Sequence, residues 1–142
     1  MRKTRSILTL VGAVVGALSV TPIHAQEGSF ALDLNNVTDV EAGCRLTYVA
    51  TNNSGVSMDK TSYEVAVFDQ EGIVSRLLIL EFGQVQDGRT KVVQFDLADQ
   101  PCTDISRLLV NSVAECVATD GSTPNCMESL QTSSRGTIQF GT

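Results

Sequence analysis

The sequence predicts an all-β protein, an immunoglobulin-like antiparallel β-sandwich of about seven strands that is stapled by disulfides. Short apolar runs alternate with turn signals at intervals of roughly ten to twelve residues, which is typical of such sandwiches. No apolar period of about 3.6 residues continues over three helical turns, so little helix is expected. The chain also carries four cysteines behind an N-terminal export pattern.

The export pattern begins with Arg2, Lys3 and Arg5, which precede the uncharged run Ile7–Val20 and a small residue, Ala25. The apolar middle, about 14 residues long, is shorter than the roughly 20 that a membrane-spanning helix needs. We therefore predict a secretory signal peptide over residues 1–25, followed by one domain over residues 26–142. An uncleaved anchor is the alternative. The predicted location is exported, either periplasmic or secreted.

The predicted mature chain is acidic. Three of the ten basic residues belong to the signal peptide, whereas all sixteen acidic residues follow it, which leaves a formal charge of 7 − 16 = −9. Nucleic acids and anionic lipids are bound through clustered Lys and Arg, so neither is an expected partner. No membrane insertion is expected after cleavage of the signal peptide.

The same cleavage removes His24, the only histidine of the chain. Without imidazole, the mature chain has no Ser-His-Asp or Cys-His nucleophile and no histidine metal site. Asp69 and Glu71 flank a turn without the complete pattern of a calcium loop. We therefore predict no enzymatic activity, no catalytic or metal-binding residues and no cofactor.

The strands are predicted from apolar alternation, in which every second side chain faces the core. Ser29–Asn36 alternates through Phe30, Leu32 and Leu34, and Cys44–Asn52 through Leu46, Tyr48 and Ala50. The later strands are Ser62–Asp69, Ile73–Phe82, Arg89–Leu97 and Ile105–Cys116, with short tail strands at Leu130–Ser134 and Thr137–Phe140.

The clearest supersecondary signal is the predicted hairpin Tyr63–Phe82. Tyr63, Val65 and Val67 alternate before the turn Asp69-Gln70-Glu71-Gly72, in which Asp opens and Gly closes a type I turn. The second strand, Ile73–Phe82, is apolar at both alternating sets and therefore predicts cover on both of its faces.

These segments carry a resemblance to a known family. Asn52-Asn53-Ser54-Gly55 after a strand, Tyr63-x-Val-x-Val-x-Asp-x-x-Gly, and Gly88-Arg-Thr before Val92-Val-Gln-Phe resemble the FxLYD-type domains. More broadly, the chain is similar to immunoglobulin-like sandwich domains of exported bacterial proteins over about Cys44–Leu97. The resemblance implies a binding or accessory module.

The four cysteines are expected to form two disulfides in an exported chain. In a sandwich of this kind, the start of the second strand lies close to the residues that follow the fifth strand, which favours Cys44–Cys102. The sixth strand ends at the opposite end of the sandwich, which favours Cys116–Cys126. Cys44–Cys116 with Cys102–Cys126 is the alternative, and a zinc site is disfavoured because no Cys-x-x-Cys occurs.

Two features are candidates for contact with a partner. One is the apolar strand, whose outward set is either Val74, Leu78, Leu80 and Phe82 or Ile73, Leu77 and Ile79. We expect the C-terminal strand of the chain to cover it, with a second copy or a ligand as alternatives. The other feature is Arg135, a positive charge in a small polar cluster. The candidate contact residues are therefore Leu77, Leu78, Ile79, Leu80 and Arg135.

The function predicted from these features is that of an exported, non-enzymatic binding or accessory module that acts through protein contacts. Its partner is an unknown protein or a second copy of the chain. The first alternative is a structural envelope component that self-associates through Ile73–Phe82. The second is a small exported inhibitor that presents the loop Thr119–Asn125.

Overall fold

The computed structural model describes residues 28–142, so the predicted signal peptide and its cleavage site lie outside the described residues. Eight strands and one turn of 3-10 helix at Cys102–Asp104 make up the regular structure. The strands are β1 Ser29–Val40, β2 Gly43–Asn53, β3 Met58–Phe68, β4 Val74–Glu81, β5 Thr90–Ala98, β6 Arg107–Ala118, β7 Leu130–Ser134 and β8 Gln139–Gly141.

The strands form two sheets of four. The first sheet has the order β5-β2-β1-β7 and the second has the order β4-β3-β6-β8. The predicted all-β, disulfide-linked sandwich is therefore confirmed. It differs from the expected antiparallel arrangement in that β7 runs parallel to β1 and β8 runs parallel to β6.

The core lies between the sheets and is filled by the inward residues that the alternation predicts. Tyr48 lies at its centre, with its ring edge-on to those of Phe82, Phe95 and Phe140 at centroid distances of 5.6, 6.0 and 5.1 Å. Edge-to-face rings at these distances attract one another beyond the gain from burial alone. The aromatic cluster therefore joins β2 and β5 of the first sheet to residues of the second.

Both predicted disulfides are confirmed, and the alternative pairing is wrong. Cys44 at the start of β2 is bonded to Cys102, with their Cα atoms 4.8 Å apart. Cys116 near the end of β6 is bonded to Cys126, with their Cα atoms 6.2 Å apart. Residues 28–142 contain no free cysteine, so the zinc alternative is wrong as well.

The expectation that the C-terminal strand covers β4 is wrong. β8 pairs with β6, at the edge of the second sheet opposite β4, and β7 pairs with β1 in the first sheet. Ile138 and Phe140 explain this placement, because both side chains are buried in the core cluster. Burial of these two side chains places the tail beside β1 and β6, at the edges of the two sheets that lie away from β4.

The dipeptide Asp87-Gly88 is of a type favoured in hairpin turns, but it forms none here because β4 and β5 belong to different sheets. Instead, the crossing between them is held by the fully buried Asn52. The Asn52 side-chain amide donates to the carbonyl oxygens of Val56 and Val85, each at 2.8 Å. The two connections at this end of the sandwich are thereby tied together.

The two disulfides are expected to differ in their contribution to stability, because they close loops of different length. Replacing Cys44 and Cys102 with Ala opens a separation of 58 residues, and replacing Cys116 and Cys126 opens one of 10. The chain-entropy model gives losses of about 4 and about 3 kcal/mol in the free energy of unfolding. Urea unfolding of the two double variants measures both. A larger loss for the Cys116–Cys126 variant would contradict this account.

The two tyrosines provide a matched test of the core. Both side chains are fully buried, and burial raises the pKa of the Tyr48 and Tyr63 hydroxyls above the usual range. The Tyr63 hydroxyl donates to the carbonyl oxygen of Cys126 at 3.2 Å, whereas the Tyr48 hydroxyl has no partner among residues 28–142. We expect Tyr63→Phe to lower the free energy of unfolding by about 1 kcal/mol and Tyr48→Phe to leave it unchanged or raise it. Equal losses in urea unfolding would contradict this expectation.

Candidate functional site

β4 and the residue before it carry four of the six large apolar side chains that are exposed in the described chain. β4 lies at the edge of the second sheet, where Leu77 pairs with Ala66 and Ile79 with Glu64 of β3. Leu77 and Ile79 expose 57% and 48% of their surface. Leu80 is buried and Leu78 packs against the core. Of the predicted contact residues, Leu77 and Ile79 therefore lie on the surface, and Leu78 and Leu80 face inward.

Val74 departs from the predicted alternation. The pairing of β3 with β4 places Val67 opposite Arg76 and Phe68 opposite Val74, so Ser75 is an extra residue. A bulge of this kind changes the side to which the preceding residue points. Val74 is consequently exposed, although its parity groups it with the inward residues Leu78 and Leu80. The outward set is Ile73, Leu77 and Ile79, joined by Val74.

Neighbouring strands extend this surface. Ala66 and Phe68 lie on the same side of β3, and Leu109 lies beyond them on β6, opposite Ala66. The guanidinium of Arg107 stacks over the Phe68 ring, with its Cζ atom 5.5 Å from the ring centroid. We call this surface the outer apolar face; its exposed or half-buried members are Phe68, Ile73, Val74, Leu77, Ile79 and Leu109, and Ala66 lies between them and is buried.

The outer side of the first sheet is different in character. Its strands are linked there by polar cross-strand pairs: Arg45 donates to both carboxylate oxygens of Asp96 at 2.7 and 2.8 Å, and Gln94 donates to the Thr47 hydroxyl at 3.0 Å. The hydrogen bonds from Arg45 hold the pKa of Asp96 below its usual range. Val92 is the large exposed apolar residue on this sheet. The contrast makes the outer apolar face specific to the second sheet.

The edges of β4 and β5, which lie on the same open side of the sandwich, each carry a cation on the inward side. Arg76 has the parity of Leu78 and Leu80, and its Nη2 donates to the carbonyl oxygen of Ala98 at 3.0 Å. Lys91 pairs with the inward-facing Ala50, and its Nζ donates to the carbonyl oxygen of Phe82 at 2.8 Å. Inward-pointing charges on edge strands disfavour the addition of another strand. The outer apolar face is therefore accessible to a partner. The edge beside it disfavours pairing with a further strand, and we call it the guarded edge.

A polar cleft of about 540 Å³ lies at the end of the sandwich that the Cys44–Cys102 disulfide closes. One wall is the β3–β4 turn, in which Asp69 Oδ1 accepts hydrogen bonds from the backbone N–H groups of Glu71 and Ile73 at 3.0 and 2.8 Å. The opposite wall is the segment that follows β5. We call it the acidic cleft, since four carboxylates line it together with Gln100 and Arg76: Asp69, Glu71, Asp99 and Asp104.

Sequence reasoning did not identify the acidic cleft, because its residues come from two segments more than 20 positions apart. The predicted turn over Asp69–Gly72 is present, with the Gly72 N–H donating to the Asp69 carbonyl oxygen at 3.1 Å. The one available signal was the accumulation of acidic residues in two predicted loops. Nothing in the spacing indicated that these loops meet.

Arg135 lies apart from both features. It follows β7 of the first sheet, and its Nε donates to Asp33 Oδ2 at 2.9 Å. The structure therefore does not bring Arg135 together with Leu77 and Ile79. The loop Thr119–Asn125 is also remote, at the opposite end of the sandwich from the acidic cleft. Within it, the Ser122 hydroxyl and N–H donate to Asp120 and lower the pKa of that carboxyl.

The guarded edge leads to a prediction about self-association. Replacing Arg76 and Lys91 together with Leu removes both inward charges and is expected to produce dimers or larger assemblies through strand pairing. Size-exclusion chromatography with light scattering at about 100 μM measures the change against the wild-type chain. Arg89→Leu is the matched control, because the Arg89 guanidinium makes no hydrogen bond or ion pair within residues 28–142. A monomeric double variant would contradict the guarding role.

Comparison with family models, curated proteins and solved structures finds no match to this chain. The resemblance to FxLYD-type domains therefore stays a prediction. Within residues 28–142, no helix has the length and apolar character needed to span a membrane. The outer apolar face and the acidic cleft are therefore the candidate functional features of the described chain.

Proposed function

We propose that this chain is an exported, non-enzymatic binding or accessory module that contacts a partner protein through the outer apolar face. The observation that carries the proposal is the exposure of Leu77 and Ile79, at 57% and 48%, side by side on one strand. Clustered exposed apolar side chains are the kind of surface that marks an interaction site, whereas scattered ones need no explanation.

A partner that covers this face gains free energy from the burial of its apolar side chains. Covering a half-exposed Leu or Ile contributes about 1 kcal/mol, so Leu77, Ile79 and their neighbours together supply the apolar centre of an interface. Arg107, stacked on Phe68, and Glu64, which accepts from the Asn111 amide, lie beside this centre. Apolar centres with polar rims are the usual anatomy of protein interfaces.

The proposed lack of enzymatic activity is supported by the positions of the tyrosines and lysines, which with the carboxylates are the groups left for acid–base chemistry once His24 is removed. Tyr48 and Tyr63 are both fully buried in the core. Lys60 pairs with Glu115 at 3.5 Å, and Lys91 donates to a backbone carbonyl oxygen. The tyrosines are therefore shielded from any substrate, and each lysine is engaged in a contact within the chain.

Export is supported by the two disulfides, since such bonds persist in oxidising compartments. The predicted signal peptide over residues 1–25 agrees with this. The proposed location of the mature chain is therefore periplasmic or secreted.

Self-association through β4 is the alternative, and the guarded edge argues against it. Two copies would each carry a formal charge of −9, which opposes close contact at low ionic strength. A chain that remains monomeric at high micromolar concentration excludes this alternative.

The test uses the mature chain, residues 26–142, as bait in an envelope extract. A partner that binds wild type is expected to be captured at least tenfold less by the Leu77→Ser, Ile79→Thr variant, because the apolar centre of the interface is lost. Val92→Thr is the matched control, since Val92 is equally exposed but lies on the first sheet. Circular dichroism verifies the fold of each variant. A partner captured equally by all three proteins would overturn the proposal.

A further inference from the structure

The two disulfides join the cysteines in the order in which the chain presents them. Cys44 is bonded to Cys102, and the next cysteine along the chain, Cys116, is bonded to Cys126. Of the three ways to pair four cysteines, only this one completes the first bond before the third cysteine is reached. The two loops are therefore neither interlaced nor nested. Such an order has a consequence for a chain that enters an oxidising compartment from its N-terminus.

The contacts that bring Cys44 to Cys102 lie within the first 102 residues. Residues 43–51 of β2 pair with residues 90–98 of β5, so the start of β2 lies beside the end of β5. Asp39 of β1 lies directly opposite Cys44, and its Oδ1 accepts a hydrogen bond from the N–H of Cys102 at 2.8 Å. No residue after Cys102 takes part in these contacts, so this pair is able to form before the rest of the chain arrives.

The sulfur atoms are inaccessible once the sandwich has closed. Cys44 is 0% exposed, and Cys116 and Cys126 are 9% and 5% exposed. Thiol–disulfide exchange requires a thiolate to approach a sulfur atom directly. The pairing is therefore decided before the core closes. That closure comes last, because Phe140 near the end of the chain completes the packing around Tyr48.

Without an order of arrival, Cys102 would meet the wrong cysteine more often than the right one. In an unfolded chain, the chance that two residues meet falls roughly as the −3/2 power of their separation. Cys102 is separated by 58 residues from Cys44 and by 116 − 102 = 14 residues from Cys116. Contact with Cys116 is therefore favoured about eightfold. During export from the N-terminus, by contrast, Cys102 has Cys44 as its partner until Cys116 follows.

We propose that a protein dithiol oxidase forms Cys44–Cys102 as the chain emerges from the membrane, before Cys116 is available, and then forms Cys116–Cys126. The order rests on the proposed export of the chain. In each step the two cysteine thiols lose two protons and two electrons. The disulfide of the oxidase accepts them through a mixed disulfide and becomes a dithiol. The native pairs follow from the order of arrival, so no disulfide isomerase is required.

The three-cysteine variant Cys126→Ser tests the order, because it leaves Cys116 free to compete for Cys102. The full-length variant is exported in a bacterial host, its free thiols are blocked, and mass spectrometry of an unreduced digest assigns the disulfide. The expected product is Cys44–Cys102 with a free Cys116, in at least tenfold excess over Cys102–Cys116. An equal or greater amount of Cys102–Cys116 in the exported chain overturns the proposal.

The matched control is the same variant, reduced and then oxidised in concentrated guanidinium chloride, where all three cysteines are present at once. Cys102–Cys116 is expected to exceed Cys44–Cys102 about eightfold under these conditions. An excess of Cys44–Cys102 in denaturant overturns the proposal, since the chain would then select this pair without any order of arrival.

The wild-type chain identifies the class of enzyme. In a host that lacks its exported disulfide isomerase, the natively paired fraction is expected to stay within twofold of the normal host. In a host that lacks its exported dithiol oxidase, the same fraction is expected to fall at least fivefold. A larger loss in the first host, or no loss in the second, overturns the proposal.

The same hosts separate this proposal from the proposed function. A chain that is not exported and stays reduced rejects the proposed export together with the order of oxidation. An exported chain with mispaired cysteines rejects the order of oxidation alone and leaves the proposed function standing.

Discussion

The ring of Tyr48 is the point at which both sheets and the C-terminal tail meet. Its neighbours Phe82 and Phe140 come from the second sheet and Phe95 from the first, and each packs edge-on against it. Only seven aromatic residues occur in the chain, so a majority of them is committed to this one contact. Because large rings occupy the centre, the distance between the sheets is fixed there. Each surrounding strand therefore contributes one alternating set of side chains to the core, and its other set faces outward.

Because of that constraint, β4 has more apolar side chains than its share of the core requires. Leu78, Leu80 and the following Phe82 fill its share of the core, and Leu77 and Ile79 are left on the opposite side. A strand at an edge with two apolar sides is an aggregation hazard. The bulge at Ser75 and the inward Arg76 reduce that hazard along the edge without covering the face. The arrangement leaves the outer face of the sheet accessible to a partner and disfavours the addition of a strand at its edge.

Much of the fold follows from local pattern, and what does not follow depends on distant packing. Alternation through Phe30, Leu32 and Leu34 locates an inward face because each residue is constrained by its own strand. The disulfides follow from the expected strand arrangement, because β2 and β5 are neighbours and only a short link joins Cys116 to Cys126. The partners of β7 and β8 could not be predicted, because parallel pairing leaves no turn signal in the sequence. The acidic cleft was likewise invisible, since Gln100 and Glu71 are brought together only by the closure of the whole sandwich.

The parallel tail pairing also sets a condition on when the chain is able to fold. Phe30 of β1 pairs with Leu130 of β7, and Phe140 completes the packing around Tyr48, so the sandwich closes only after nearly its whole length is present. Contacts between such distant positions form slowly, because the entropy of closing the intervening chain is lost before the contacts compensate for it. A chain of this design remains unfolded during synthesis for longer than one built from local contacts. The delay keeps the chain unfolded for longer. An unfolded polypeptide is able to cross a membrane and to fold on the far side.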